Sequence, residues 1–172
     1  MTIKEALDTS FDMEKQGYDF YIKASNKAKS AAAKKIFQAL AEDENRHIDA
    51  IKKYSENLAG DLAMPKLSIA MPEHADINKR LLFGKDPKEA LKGISADSGQ
   101  LKAYEIAMDL ETRGYNFYEK AANSIEDKNI KELYKFLIKE EKAHYSIIAS
   151  TYGYLKAPQD LFFKEEKSIM EG

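Results

Sequence analysis

Two short motifs in the sequence combine a carboxylate with an imidazole at a spacing that suits metal binding. Glu44 and His47 stand three positions apart, and Glu141 and His144 repeat the pair. Residues three apart on an α-helix project from neighbouring turns of one face. Carboxylate oxygens and imidazole nitrogens bind first-row divalent metals such as iron, manganese and zinc. The two pairs therefore predict metal ions held between helices.

The two motifs belong to a longer internal repeat. A shift of 97 positions aligns the first half of the chain with the second half without a gap, and residues 13–21 match residues 110–118. Each half carries one further glutamate, placed 30 positions before the glutamate of its motif. The repeat thus supplies six candidate metal ligands: Glu14, Glu44, His47, Glu111, Glu141 and His144.

The candidate glutamates stand on apolar helix stripes, where an uncompensated charge is costly. Burying four carboxylates without counter-charges would cost many kcal/mol, whereas two divalent cations would neutralise them. Tyr21 and Tyr118 each follow the first glutamate of their half by seven residues, which is two helical turns. Each phenol is therefore either a core aromatic or a group that hydrogen-bonds a ligating carboxylate or supplies an electron.

Other acidic residues and the third histidine are given ordinary structural roles. His74 has no counterpart in the repeat and is interpreted as a surface or packing histidine. A further group of carboxylates is interpreted as part of the solvated helix faces, with Glu140 the best suited to act as an auxiliary ligand because it adjoins Glu141. This group contains Glu42, Asp43, Asp109 and Glu140.

The elements that position the six ligands are predicted to be four long helices. Helix-start signals and apolar periodicity place them at about 3–26, 31–60, 98–123 and 128–153. We expect one all-α domain over residues 1–172, with hairpins 3–60 and 98–155, a long crossover 61–97 and a tail 156–172. The crossover should contain a helix over 73–83 and another capped by Asp86, and Leu161, Phe162 and Phe163 predict a short C-terminal helix.

Composition narrows the classes of function. The formal net charge of −2 offers little attraction for nucleic acid or for anionic membranes, and the absence of cysteine excludes thiolate ligands and thiol catalysis. No apolar run approaches the roughly 20 residues that span a bilayer. We expect a soluble cytoplasmic protein.

The duplicated Glu…Glu-x-x-His pattern resembles that of ferritin-like di-iron carboxylate proteins. The segment Glu-(x)₂-Gly-Tyr-x-Phe-Tyr, together with the crossover, is most similar to the rubrerythrin branch. The resemblance implies a ferritin-like bundle with two irons, or manganese or zinc in their place. It implies that Glu44 and Glu141 bridge the metals, that Glu14 and Glu111 are terminal ligands, and that each metal has one histidine, His47 or His144. It also implies a homodimer, in some members with helices exchanged between chains.

Two features set this chain apart from full-length rubrerythrins. No cysteine is present to hold the iron of a rubredoxin domain, so the resemblance implies an external electron donor such as rubredoxin. Gly114 and His144 stand where rubrerythrins typically carry glutamates, which makes the ligand set symmetric and similar to that of bacterioferritin. The expected function is reduction of hydrogen peroxide or oxygen at a di-iron site. The alternatives are a ferroxidase for iron storage or handling, and a structural metal-binding bundle without turnover.

Overall fold

Four long helices dominate the architecture. The computed structural model describes residues 1–71, 77–82 and 97–157, and these residues contain no β-strand. In chain order the helices are α1 (Ile3–Lys27), α2 (Ala31–Ala59), α3 (Leu67–Ala70), α4 (Ile77–Leu82), α5 (Ser98–Ser124) and α6 (Lys128–Lys156). Helix α1 packs along α2 and α5 packs along α6, and contacts between α1 and α5 and between α2 and α6 join the two hairpins. The predicted all-α, ferritin-like four-helix bundle is confirmed.

Side-chain caps fix where the long helices begin. The Thr2 hydroxyl accepts the backbone N–H of Glu5, and the Glu5 carboxylate accepts the backbone N–H of Thr2 at 2.7 Å. Ser30 and Asp127, which correspond in the repeat, cap α2 and α6 by accepting the backbone N–H of Ala33 and of Ile130. Each cap satisfies a backbone donor that the helix itself leaves unpaired. Both hairpins therefore turn at equivalent points, and their candidate ligands reach equivalent heights in the bundle.

Two apolar clusters occupy the bundle interior. One contains Leu7 of α1 and Ile51 of α2, and the other contains Tyr21 of α1 and Leu40 of α2. Glu14 therefore falls between the two clusters along α1, and the Glu-x-x-His motif of α2 falls between them along α2. The polar centre is consequently enclosed by apolar side chains toward both ends of the bundle.

The crossover and the last helix differ in detail from the sequence-based expectation. Helix α4 lies within the segment predicted to be helical, whereas the four-residue α3 was not predicted. Helix α6 continues past Gly153 to Lys156, and the Gly153 carbonyl accepts the backbone N–H of Ala157 at 3.0 Å. A single glycine costs a helix only about 1 kcal/mol and does not end it without a competing C-cap.

Several expectations concern residues outside the described part of the chain. These are His74, the predicted helix capped by Asp86, and the predicted C-terminal helix with Leu161, Phe162 and Phe163. Among the helices within residues 1–71, 77–82 and 97–157, none is both long enough and apolar enough to cross a bilayer.

Candidate metal centre

The structure brings all six predicted ligands together in the middle of the bundle. Helices α1 and α5 contribute one glutamate each, and α2 and α6 contribute one Glu-x-x-His pair each. All six side chains are buried, with at most 4% of any residue exposed: Glu14, Glu44, His47, Glu111, Glu141 and His144. Groups of this kind are rarely buried together unless a cation or shared protons neutralise them.

One half of the centre is built around His47. Its Nδ1 lies 3.1 Å from Glu14 Oε2 and 3.7 Å from Glu44 Oε2. Ligand atoms of these three residues and of Glu141 all lie within 4.8 Å of one another. We call this four-residue set the His47 position.

The other half is built around His144. Its Nδ1 lies 3.4 Å from Glu111 Oε2 and 3.6 Å from Glu44 Oε1. Ligand atoms of His144, Glu111 and Glu44 also lie within 4.8 Å of one another, and we call this set the His144 position. The two histidine rings stack with their centroids 5.8 Å apart. Glu44 thus turns one carboxylate oxygen toward each histidine, as a carboxylate shared by two cations would.

The residues present fit a divalent metal. The facing atoms His144 Nδ1 and Glu111 Oε2 are both buried and have no hydrogen-bond partner. Unpaired buried polar atoms are rare in folded proteins, and one explanation for them is an ion that both atoms bind. The donor set consists of oxygen and nitrogen, which suits iron, manganese and zinc. The six residues could therefore hold two cations, one at each position.

The two predicted tyrosines lie beside the centre and cross from one hairpin to the other. Tyr118 of α5 donates a hydrogen bond to Glu14 Oε1, and Tyr21 of α1 donates one to Glu111 Oε1. Each tyrosine therefore contacts the first glutamate of the opposite repeat. Because one oxygen of each glutamate accepts a phenol, the other oxygen is directed toward a histidine.

The outer nitrogens of the histidines face a second pair of carboxylates, Asp43 and Glu140. His144 Nε2 lies 3.3 Å from Asp43 Oδ2, and His47 Nε2 lies 3.6 Å from Glu140 Oε2. Asp43 was assigned to a solvated face, but only 1% of it is exposed. Its burial is possible because Arg46 and Arg80 balance its charge. Asp43 and Glu140 occupy matching positions of the repeat, and this was the signal available in the sequence.

Asp43, Glu140 and His144 also form a compact group whose ligand atoms lie within 4.8 Å of one another. When the Nδ1 of a histidine binds a metal, the proton of its ring resides on Nε2 and is donated outward. Asp43 is then the acceptor that orients His144, whereas Glu140 faces His47 Nε2 at 3.6 Å, which is beyond hydrogen-bond distance. The group is better explained as the outer layer of the centre than as a separate cation site.

Two of the glutamates take up protons in the metal-free protein. Burial raises the pKa of Glu14 to about 8, and the nearby Glu44 carboxylate adds to the rise. Burial and the Glu111 carboxylate likewise raise the pKa of Glu141 well above its ordinary value. Glu14 is therefore mostly a neutral acid at pH 7 when no cation is bound, and the shift of Glu141 favours its neutral form as well.

The remaining four groups, two histidines and two glutamates, favour their charged forms. Burial disfavours charge on the histidines, but nearby carboxylates outweigh it, so the pKa values of His47 and His144 lie well above the ordinary value. Burial also disfavours charge on Glu44 and Glu111, but hydrogen bonds from their neighbours lower their pKa values. These shifts favour protonated histidines beside ionised Glu44 and Glu111, so bound protons offset negative charge in the metal-free centre.

A small opening between α1 and α5 reaches the centre. Its volume is about 30 Å³, and its lining includes Gly17, Gly114 and the nearby glutamates. A Cβ atom at Gly17 would lie 3.2 Å from the carboxyl carbon of Glu44, and one at Gly114 would lie 2.9 Å from Glu141 Oε2. Both glycines therefore allow these carboxylates to lie directly against the helix backbone.

A four-helix bundle with two hairpins and a buried, duplicated Glu/His set defines a ferritin-like carboxylate protein. The chain matches the family model for rubrerythrin over residues 5–152, and it belongs to the rubrerythrin family. It is similar to an uncharacterised protein of Methanocaldococcus jannaschii, with 25% identity over 173 residues that cover 97% of this chain and 85% of that protein. The solved structure of a hypothetical protein from Pyrococcus furiosus has the same fold, with a TM-score of 0.64 and 20% identity over 90% of each chain.

Proposed function

We propose that this protein is a di-iron oxidoreductase that reduces hydrogen peroxide or oxygen with electrons from an external donor. The observation that carries the proposal is the position of Glu44, whose two oxygens face His47 and His144 from between two otherwise separate ligand sets. This is the arrangement that a pair of neighbouring metals requires. Membership of the rubrerythrin family supports it independently.

The chain offers four ligands around the His47 position and three around the His144 position, with Glu44 common to both. Two irons bound there would supply the two electrons that cleave the oxygen–oxygen bond of a peroxide. Glu14 and Glu111 would each bind one metal through the oxygen that faces a histidine. Glu141, whose carboxyl group lies against Gly114, would complete the set as a second shared ligand.

The opening is large enough for a small oxidant. Its volume of about 30 Å³ exceeds the roughly 10–15 Å³ that one water molecule requires, so hydrogen peroxide or dioxygen, each with two heavy atoms, fits beside the glutamates. The apolar clusters on either side exclude bulk water and strengthen the electrostatic interactions inside the centre.

Tyr21 and Tyr118 hold the terminal glutamates in position. Each phenol donates a hydrogen bond to Oε1 of its glutamate, so Oε2 of that glutamate remains free to bind a metal. Reduction of one hydrogen peroxide to two waters consumes two protons and two electrons. The contact between Tyr118 and Glu14 lines the opening, so protons from solvent could be delivered there.

The proposal includes partners and location. Because these 172 residues contain no cysteine, the electrons would come from a donor outside them, such as rubredoxin. We propose a homodimer in the cytoplasm as the working unit. Sedimentation velocity of the purified protein tests the dimer, and reduction of the oxidised protein by reduced rubredoxin tests the donor.

Stopped-flow mixing of the diferrous protein with hydrogen peroxide tests the central reaction. We expect oxidation much faster than that of free ferrous iron at the same concentration. Glu44→Gln should abolish this advantage, whereas Glu56→Gln, which changes an exposed glutamate of the same helix, should retain it. Circular dichroism of both variants verifies that each is folded. Oxidation no faster than that of free ferrous iron would contradict the proposal.

Ferrous-iron oxidation for storage is the second candidate, favoured by the one histidine at each metal position. A storage role requires an assembly that encloses a cavity and takes up many irons per chain. Light scattering and iron titration separate the two functions. A dimer that binds no more than two irons per chain would exclude storage, and a tightly held zinc that peroxide does not change would indicate a structural bundle.

A further inference from the structure

The two histidines of the centre differ in the charged groups that face their outer nitrogens, Nε2. Behind His144, Asp43 accepts from its Nε2 and also pairs with two arginines. Arg46, one turn along α2, lies 3.0 Å from Asp43 Oδ1, and Arg80 of the crossover helix α4 contacts Asp43 Oδ2. Arg80 also lies 3.3 Å from Glu42 and is largely buried, with 16% of its side chain exposed. The crossover thus places a positive charge behind one histidine.

The repeat shows that this arrangement has no equivalent behind His47. Glu140 lies 3.6 Å from His47 Nε2, and among the described residues it pairs with no lysine or arginine. The crossover occurs once in the chain, so Arg80 has no counterpart. The positions that correspond to Glu42, Asp43 and Arg46 hold Lys139, Glu140 and Ala143.

A carboxylate behind a metal-bound imidazole strengthens the imidazole as a ligand because it draws on the outer N–H proton. A positive charge beside that carboxylate weakens this effect and also repels a cation directly. Asp43, which faces His144 Nε2, pairs with two arginines, and these offset its negative charge. Glu140, which faces His47 Nε2 and also lies close to Asp43 and His144, pairs with no arginine among the described residues.

We propose that Arg80 makes the two metal positions unequal, so that the His47 position binds a divalent cation more tightly and fills first. This inference rests on the proposed two-metal centre and adds an order of filling to it. Arg80 acts as a positioning and charge-setting residue through Asp43, and it touches neither cation.

Charge, rather than ring orientation, determines the direction of the effect. In Arg80→Gln the Arg46 guanidinium still holds Asp43 Oδ1, and the glutamine amide can replace one hydrogen bond to Asp43. Asp43 therefore continues to orient His144 while one positive charge is lost. The His144 position should then bind its cation more tightly, and the difference between the positions should narrow.

Cobalt binding to the metal-free protein, followed anaerobically by calorimetry and visible absorption, tests the inference. We expect two binding steps in the wild-type protein with affinities at least about tenfold apart. Changes to partners of metal ligands typically alter affinity by about 10- to 100-fold, and Arg80→Gln should tighten the second step by about tenfold without changing the first. Glu140→Gln should instead weaken the first step.

Lys128→Gln is the matched control, because it removes one positive charge from an exposed residue of α6 at roughly 24 Å along the helix from His144. It should leave both steps unchanged. Equal steps in the wild-type protein, or a second step that Arg80→Gln leaves unchanged or weakens, would overturn the inference while leaving the two-metal centre intact. Failure to bind two cobalt ions would overturn the centre itself. If Arg80→Gln does not fold, Arg46→Gln provides the same test with the same expected direction.

Discussion

Binding of divalent cations at pH 7 should release protons from the centre of the metal-free protein. Four groups there have raised pKa values before binding, namely Glu14, Glu141, His47 and His144. Metal binding requires ionised carboxylates and neutral imidazoles. A group with a pKa of about 8 is roughly nine-tenths protonated at pH 7, so Glu14 alone releases nearly one proton, and the shifts of the other three groups add to the release. We therefore expect release of at least about one proton when two cations bind.

Calorimetric titration with zinc in two buffers of different ionisation enthalpy measures this number directly, because the difference in observed heat is proportional to the protons released. Repeating the titration at pH 9 should lower the count by nearly one, since Glu14 has then lost most of its proton before zinc binds. Glu14→Gln should lower the count at pH 7 by about one. Binding of two zinc ions at pH 7 without proton release would refute this account of the charge balance.

The metal-free protein should lose at least about 1.4 kcal/mol of unfolding free energy per pH unit between about pH 5 and 8. The folded pKa of Glu14 (about 8) exceeds its ordinary value, so its contribution is lost as pH rises, and the raised pKa values of Glu141, His47 and His144 act in the same direction. Urea unfolding that is flat over this range would contradict this prediction. Gly114→Ala should weaken cobalt binding more than Gly17→Ala. The new Cβ would lie 2.9 Å from an oxygen of Glu141 in the first variant and 3.2 Å from the carboxyl carbon of Glu44 in the second. The reverse order would contradict the view that these glutamates must lie directly against the helix backbone. Tyr118→Phe should destabilise the metal-free protein by about 1–3 kcal/mol because a buried carboxyl oxygen of Glu14 loses its donor. The variant Tyr145→Phe, which changes an exposed tyrosine, should unfold at the same urea concentration as the wild-type protein.

The sequence was sufficient to predict the four helices and the convergence of the six ligands. Both follow from local rules: caps such as Ser30 and Asp127 define where helices begin, and helical spacing places Glu44 and His47 on one face. The repeat then required the second half to copy the first. A duplicated pattern of buried charge has few explanations other than a shared centre.

The outer layer of the centre depends on contacts that no local rule describes. Asp43 is buried because Arg80 reaches it from the crossover and because His144 faces it from the opposite hairpin. Each of these partners is distant in sequence, so the residue resembles an ordinary surface aspartate when read alone. The tyrosines illustrate the same limit, since Tyr118 pairs with Glu14 of the other repeat rather than with the glutamate of its own helix.

The most direct test of the central claim is elemental analysis combined with the optical spectrum after anaerobic iron loading and exposure to hydrogen peroxide. The account predicts two irons per chain and a diferric absorption band that develops within the mixing time. Fewer than two irons per chain, or a bound metal whose spectrum peroxide leaves unchanged, would contradict it.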